Sequence, residues 1–153
     1  MNTTLDLIIK DIANVDNVLQ YYRDELNDFE VNLTIQYKRI DTAVIEQAGW
    51  YSFYDAKRAE LKAIYEYMDM KLSVIHSIKW QKFTEKHNCA LTQKDKEVYI
   101  KQDPEYTAMA ILVIHVKEVY DQYVSAVDSF KMRGYSLNNL TKLRTTNQED
   151  WIV

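Results

Sequence analysis

From residue 106 to 130 apolar side chains recur in steps of three and four without a gap: Tyr106, Met109, Val113, Val116, Tyr120, Tyr123, Val127 and Phe130. Only helices packed side by side need that spacing, so the segment predicts a long helix with a buried seam. Leu5, Ile8, Ile12, Val15, Leu19, Tyr22 and Leu26 repeat the rhythm near the N-terminus and predict one helix from about Thr4 to Leu26. A third stretch, 41–88, carries Leu61, Tyr65, Met68, Leu72 and Ile75 in the same steps and is expected to pack antiparallel against 104–133. Between the first two, Phe29, Val31, Leu33, Ile35 and Tyr37 alternate with polar residues as a half-buried strand does, which favours a short strand near 30–37. Phe29, Leu33, Tyr37, Ile40 and Val44 fit a helix as well, and a lone strand would have to pair with another subunit or a stray edge.

Turn and cap residues punctuate this pattern. Gly49 is the expected break in the 41–88 helix. Thr92 opens a short helix with Asp95 at its third position, a capping-box arrangement. Asp103 caps the next helix, Pro104 occupies its first turn, and Gly134 after Lys131 and Arg133 is expected to stop it. A last short helix should begin after Ser136 and carry Leu137, Leu140 and Leu143, leaving 145–153 as a frayed tail ending in Trp151, Ile152 and Val153. The fold class is therefore mainly α: one domain over 1–153, an elongated antiparallel long-helix, coiled-coil-like protomer with one short β-strand near 30–37. Beside the seam of the 104–133 helix runs a second stripe, Ala108, Leu112, Val119 and Ala126. One intramolecular partner cannot bury both, so these residues together with Val116 are expected to form a homo-oligomer interface.

Composition sharpens the picture by exclusion. Two glycines and one proline in 153 residues suit long helices, not a sandwich of short strands. The single Cys89 rules out an internal disulfide and any multi-cysteine zinc site, so nothing points to an oxidising compartment and the cytoplasm is the expectation. Met1 to Lys10 has no basic segment ahead of its short apolar run, and the most apolar run, Ala108 to Ile114, is far too short to span a bilayer. No membrane role is expected.

Catalytic chemistry finds no foothold. There is no glycine-rich phosphate loop, no Gly-x-Ser-x-Gly and no His-Glu-x-x-His. His76 and His87 share a helix face but stand about 16 Å apart, too far to clasp one ion. Cys89 near His87 lacks an orienting third group, and carboxylate pairs such as Asp24 with Glu25 read as surface acids. No catalytic residue, metal site or cofactor is expected.

Charge, by contrast, is unevenly placed. The net charge is −4, yet residues 1–30 hold seven acids against Lys10 and Arg23, while 71–101 holds seven lysines against three acids. Lys71, Lys79, Lys82 and Lys86 fall within an arc of about 80° on one helix, a stripe along which a phosphate backbone would lie. Trp80, Phe83, Tyr65 and Tyr67 are near in sequence and offer faces for unpaired bases. Leu61, Ile64, Met68 and Ile75 point into the same sector, so the plainer alternative is that the lysines solvate one end of a helix in an adaptor whose coiled-coil surfaces bind only other proteins.

Residues 91–144 also resemble the C-terminal half of the UvsY family, recombination mediators of tailed bacteriophages. The likeness lies in a charged segment ending in Tyr99 and Ile100, the Asp103-led helix, Arg133-Gly134 followed by an aromatic, and Asn138, Asn139 and Leu140. Leu61-Lys62-Ala63 with Tyr65 and Tyr67 is similar to a family motif that contacts single-stranded DNA, but the family has Lys-x-Arg where this chain has Lys62-Ala63-Ile64; Lys57, Arg58 or the stripe from Lys71 would have to substitute. The resemblance implies a non-enzymatic helical protein that forms a ring-like homo-oligomer, binds single-stranded DNA, and helps load a recombinase onto strands coated by single-strand binding protein. If phage-encoded, it would act in the bacterial host cytoplasm. The expected DNA contacts are Lys57, Arg58, Lys62, Lys71, Lys79, Trp80, Lys82 and Lys86.

Overall fold

Two antiparallel helices set the length of the molecule. The computed structural model describes residues 3–36, 38–85 and 91–145, and no strand occurs among them. α4 (Ile40–Glu85) has 46 residues and α6 (Pro104–Thr145) has 42, so at 1.5 Å per residue each exceeds about 60 Å. Their cross-contacts fix the direction: Tyr54 stacks on Phe130, Tyr65 on Tyr120, and His76 meets Tyr106. As one number rises the other falls. The expected seam is buried where it should be, with Val113, Val116, Tyr123, Val127 and Phe130 inside and Met109 and Tyr120 packed against the core.

Both glycines fall inside helices, contrary to the expected breaks. α4 passes through Gly49, where the surroundings are open. α6 passes through Gly134 and runs on to Thr145, because the next turn still buries Leu137. A helix-interior glycine costs only about 1 kcal/mol, less than the burial gained by continuing.

The N-terminal region is not one helix. α1 (Thr3–Lys10) ends at Asp11, whose extended backbone (φ −153°) and side chain, accepting from Ala13 N, start a single 3-10 turn over Ile12–Asn14; α2 (Val15–Glu25) follows. Thr4 Oγ1 lies 2.9 Å from Tyr22 Oη, whereas a continuous helix would separate the two by about 27 Å. α1 therefore folds back along α2. The apolar repeat survives the bend because both arms bury the same stripe, Ile8 from one and Val15, Val18, Leu19 and Tyr22 from the other.

The strand expected near 30–37 is replaced by a helical turn, α3 (Phe29–Leu33). Phe29 packs edge-on against Tyr54 and Phe130, and Leu33 joins the same core while Val31 stays 68% exposed. A period of four thus serves the core better than a period of two. Thr34 then turns extended (ψ 132°), and Tyr37 lies outside the described residues.

Around this core the buried tyrosine hydroxyls find partners. Tyr123 Oη donates to the Tyr22 carbonyl (2.9 Å), which sits in the last turn of α2. Tyr22 Oη donates to Glu60 Oε2 (2.7 Å), and burial pushes both phenols well above their ordinary range. Farther out, α5 (Gln93–Gln102) begins in the expected capping box of Thr92 and Asp95 and lies against the far ends of α4 and α6. No helix among the described residues is long and apolar enough to cross a membrane.

Candidate nucleic-acid interface

The expected DNA contacts divide by where the helices aim them. Lys57 points toward the N-terminal hairpin: Nζ lies 2.6 Å from Tyr21 Oη, 4.7 Å from the Tyr21 ring centroid and 5.7 Å from those of Tyr22 and Phe53. Its side chain is only 16% exposed. Such a lysine holds α2 onto α4 through cation–π and hydrogen-bond contacts and is turned away from any strand. Arg58 pairs with Asp55 (2.7 Å) and Lys62 with Glu66 (3.7 Å), both within one turn of α4. Each of the three cations has a partner within the protomer, so no unpaired basic cluster stands at the position of the family's Lys-x-Arg motif.

Farther along α4 the stripe is only partly free to meet phosphate. Lys71 stands over the Tyr67 ring (5.3 Å) at the surface, and Lys82 is exposed. Lys79 is drawn inward: its ammonium lies 2.7 Å from Glu105 Oε2 and 2.9 Å from Asp103 Oδ2, leaving 13% of the side chain exposed. Hydrogen bonds that Lys79 donates to Glu105 and then Asp103 raise its pKa, and the bond from Lys79 holds Asp103 below the usual carboxylate range. Lys86, with His87 and Cys89, lies outside the described residues.

Trp80 does not present a free face. His76 lies nearly parallel to it at 6.0 Å, and Lys96 Nζ sits 5.3 Å from its ring centre. Tyr65 is stacked on Tyr120 within the hairpin. Base stacking on these rings therefore requires something to move.

Sequence reasoning passed over the lysines of α5 as contact residues, although they were part of the basic balance of 71–101. Lys94 and Lys101 are exposed, Lys96 bonds Thr84 Oγ1 (2.9 Å), and all three stand at the same end of the hairpin as Lys71 and Lys82. The capping box and the Asp103-Pro104 break announced this helix, but not the side on which it docks.

The expected oligomer stripe is corrected in larger part. Val116, Val119 and Ala126 are buried within the protomer, and Leu112 packs against the same core. The N-terminal helices supply the second partner that two-helix reasoning left out. Ala108 alone is exposed. Apolar surface remains on α6 at Ile111 and Ile114 and on α4, where Met70, Val74 and Ile78 (59% exposed) follow one another at intervals of four.

The Arg133-Gly134 pair, noticed only as a resemblance and a helix stop, proves to be an internal tie. Arg133 is buried and donates through Nε to the Leu33 carbonyl (3.0 Å) and through Nη1 to the Ala43 carbonyl (3.1 Å) and Gln47 Oε1 (2.6 Å). Gln47 Nε2 in turn donates to the Phe130 carbonyl (2.6 Å), and a Cβ at position 134 would stand 3.1 Å from that nitrogen. Burial lowers the Arg133 pKa, opposed by Glu46 at 3.9 Å. Among the described residues no cluster of His, Cys, Asp and Glu could hold a metal ion. Compared with family models, curated proteins and solved structures, the chain matches none of them.

Proposed function

We propose that this protein is a non-enzymatic single-stranded-DNA-binding recombination mediator, one that helps load a recombinase onto strands coated by single-strand binding protein and acts as a homo-oligomer, with a ring as the expected form and the cytoplasm as its place. The observation that carries the DNA contact is the gathering of Lys71, Lys82, Lys94, Lys96 and Lys101 at one end of the hairpin. The acidic α2 and the neutral α1 pack elsewhere, beside Tyr54 to Met68 and Val113 to Phe130. Met68 and Lys82 are about 21 Å apart along α4, so Lys82 stands clear of the acidic helix by about two Debye lengths. The recombinase and assembly parts draw on the resemblance of residues 91–144.

A salt titration of fluorescence anisotropy with labelled oligothymidylate tests the contact. Lys71, Lys82, Lys94 and Lys101 as phosphate contacts give a slope of log affinity against log salt of about −2.8, and Lys82→Ala or Lys101→Ala should each flatten it by about 0.7. Lys62→Ala should leave the slope where it was. The second reading, an adaptor that binds only proteins, is favoured by the exposed Met70, Val74 and Ile78 stripe. Absence of binding at low salt would transfer the preference to it.

A further inference from the structure

α5 lies over one flank of α4 and covers a row of aromatic rings. His76, Trp80 and Phe83 are spaced four and three apart, so they line one face of the helix. Each meets a residue of α5. Glu97 Oε1 is 3.1 Å from His76 Nε2, Lys96 Nζ stands 5.3 Å over Trp80, and the Tyr99 ring lies 5.8 Å from Phe83. At the junction with α6, Asp103 and Glu105 withdraw Lys79 from solvent in the same way.

What holds α5 down is thin. It has ten residues, buries only Ile100, and leaves Val98 and Tyr99 exposed. A helix this short draws its stability from packing, and an element with few buried apolar contacts opens at low cost. The contacts made to α4 by α5 and by the cap and first turn that join it to α6 are of kinds that a nucleic-acid strand reproduces: the Asp103 and Glu105 carboxylates on Lys79 are replaceable by phosphates, and the Lys96 cation over Trp80 by a base.

We infer, resting on the single-strand reading above, that α5 is a strap over a covered binding platform: an unpaired strand lifts it off α4 while staying bound to Lys94 and Lys101 on the lifted helix, stacks bases on His76, Trp80 and Phe83, and takes over Lys79 beside Lys82 from its carboxylate partners. The strap sets a threshold, because the strand must replace the Lys79–Asp103 and Lys79–Glu105 bonds before it gains the stacking face. A double-stranded end has no free bases to stack and does not lift it.

Hydrogen exchange on the full chain, with and without saturating oligothymidylate at low salt, reads the strap directly. Amides of α5 should exchange at least about fivefold faster when the strand is bound, while those of 113–130 in α6 keep their rates. Slower or unchanged exchange in α5 with the strand bound overturns the strap and leaves the DNA contact standing. The variant carrying Asp103→Asn and Glu105→Gln supplies a second readout, since asparagine still caps α6 while Lys79 loses both charged partners. Removing two carboxylates raises affinity through charge alone, so the decisive measurement is again exchange. α5 should already exchange about fivefold faster in this variant without any oligonucleotide, and adding the strand should change it little. α5 amides as slow in the variant as in the unmutated chain would overturn the strap. If neither chain raises the anisotropy of the oligonucleotide at low salt, the single-strand reading falls and the strap falls with it.

Discussion

Gly49 and Gly134 sit inside the two long helices, and the same substitution should act on them with opposite sign. A Cβ at Gly49 meets nothing within 4 Å, so Gly49→Ala should gain about 1 kcal/mol from helix propensity. At Gly134 the Cβ meets the Gln47 amide at 3.1 Å, and that amide is held by bonds of 2.6 Å to Phe130 and to Arg133. Displacing it loosens the only side-chain partner, among the described residues, within hydrogen-bond distance of the buried Arg133 guanidinium, so Gly134→Ala should lose about 1 kcal/mol despite the better propensity. Urea denaturation of the two variants checks the pair. A rise in midpoint for both would mean that the Gln47 contact carries no weight. From the sequence the two glycines read alike, as helix punctuation; only the close approach of Gln47, eighty-odd positions away, separates them.

At the scale of elements, α5 is the part whose attachment depends on pH. Asp103 is held below the usual carboxylate range by Lys79, so its contribution to docking is in place above that range and is lost as pH falls through the depressed value. Lys79 is raised by Glu105 and Asp103, so its contribution is present below the usual lysine range and is lost as pH rises through the raised value. Docking should therefore hold over a broad neutral window and weaken on the acid side as Asp103 protonates. Trp80 emission should report it, and Asp103→Asn should abolish the acid transition if this pair is responsible. Local sequence signals announced the start of α5 and its end at Asp103. They failed where two periods competed, as at Phe29 to Leu33, and where one period continued through a bend, as at Asp11.

For the whole molecule, the position of an apolar residue relative to the third layer decides what its loss does. Val116 is fully buried between the hairpin and the N-terminal helices, so Val116→Glu should unfold the protomer, costing about 3 kcal/mol or more and most of the helical circular dichroism signal. Ile78→Glu, on the exposed stripe of α4, should leave the spectrum and midpoint nearly unchanged and should alter sedimentation if that stripe joins copies. Retention of a folded monomer by Val116→Glu would show that the third layer is dispensable. Together the two variants separate folding from association.

Periodicity by itself determined that the chain is mainly helical and which seam of the second long helix is buried. Those are consequences of spacing along one chain, where a step of three or four fixes a face without reference to anything else. Which cations stay at the surface was not determined that way. Lys57 and Lys79 share the spacing of exposed lysines, yet Tyr21 and the Asp103–Glu105 pair take them, because α2 and α5 arrive from segments whose docking side no local pattern encodes. The tertiary structure decided equally that Val119 and Ala126 belong to the protomer's own core. Burial of a second stripe depends on whether a third element covers it, and only the fold of α1 and α2 back onto the hairpin supplies that cover.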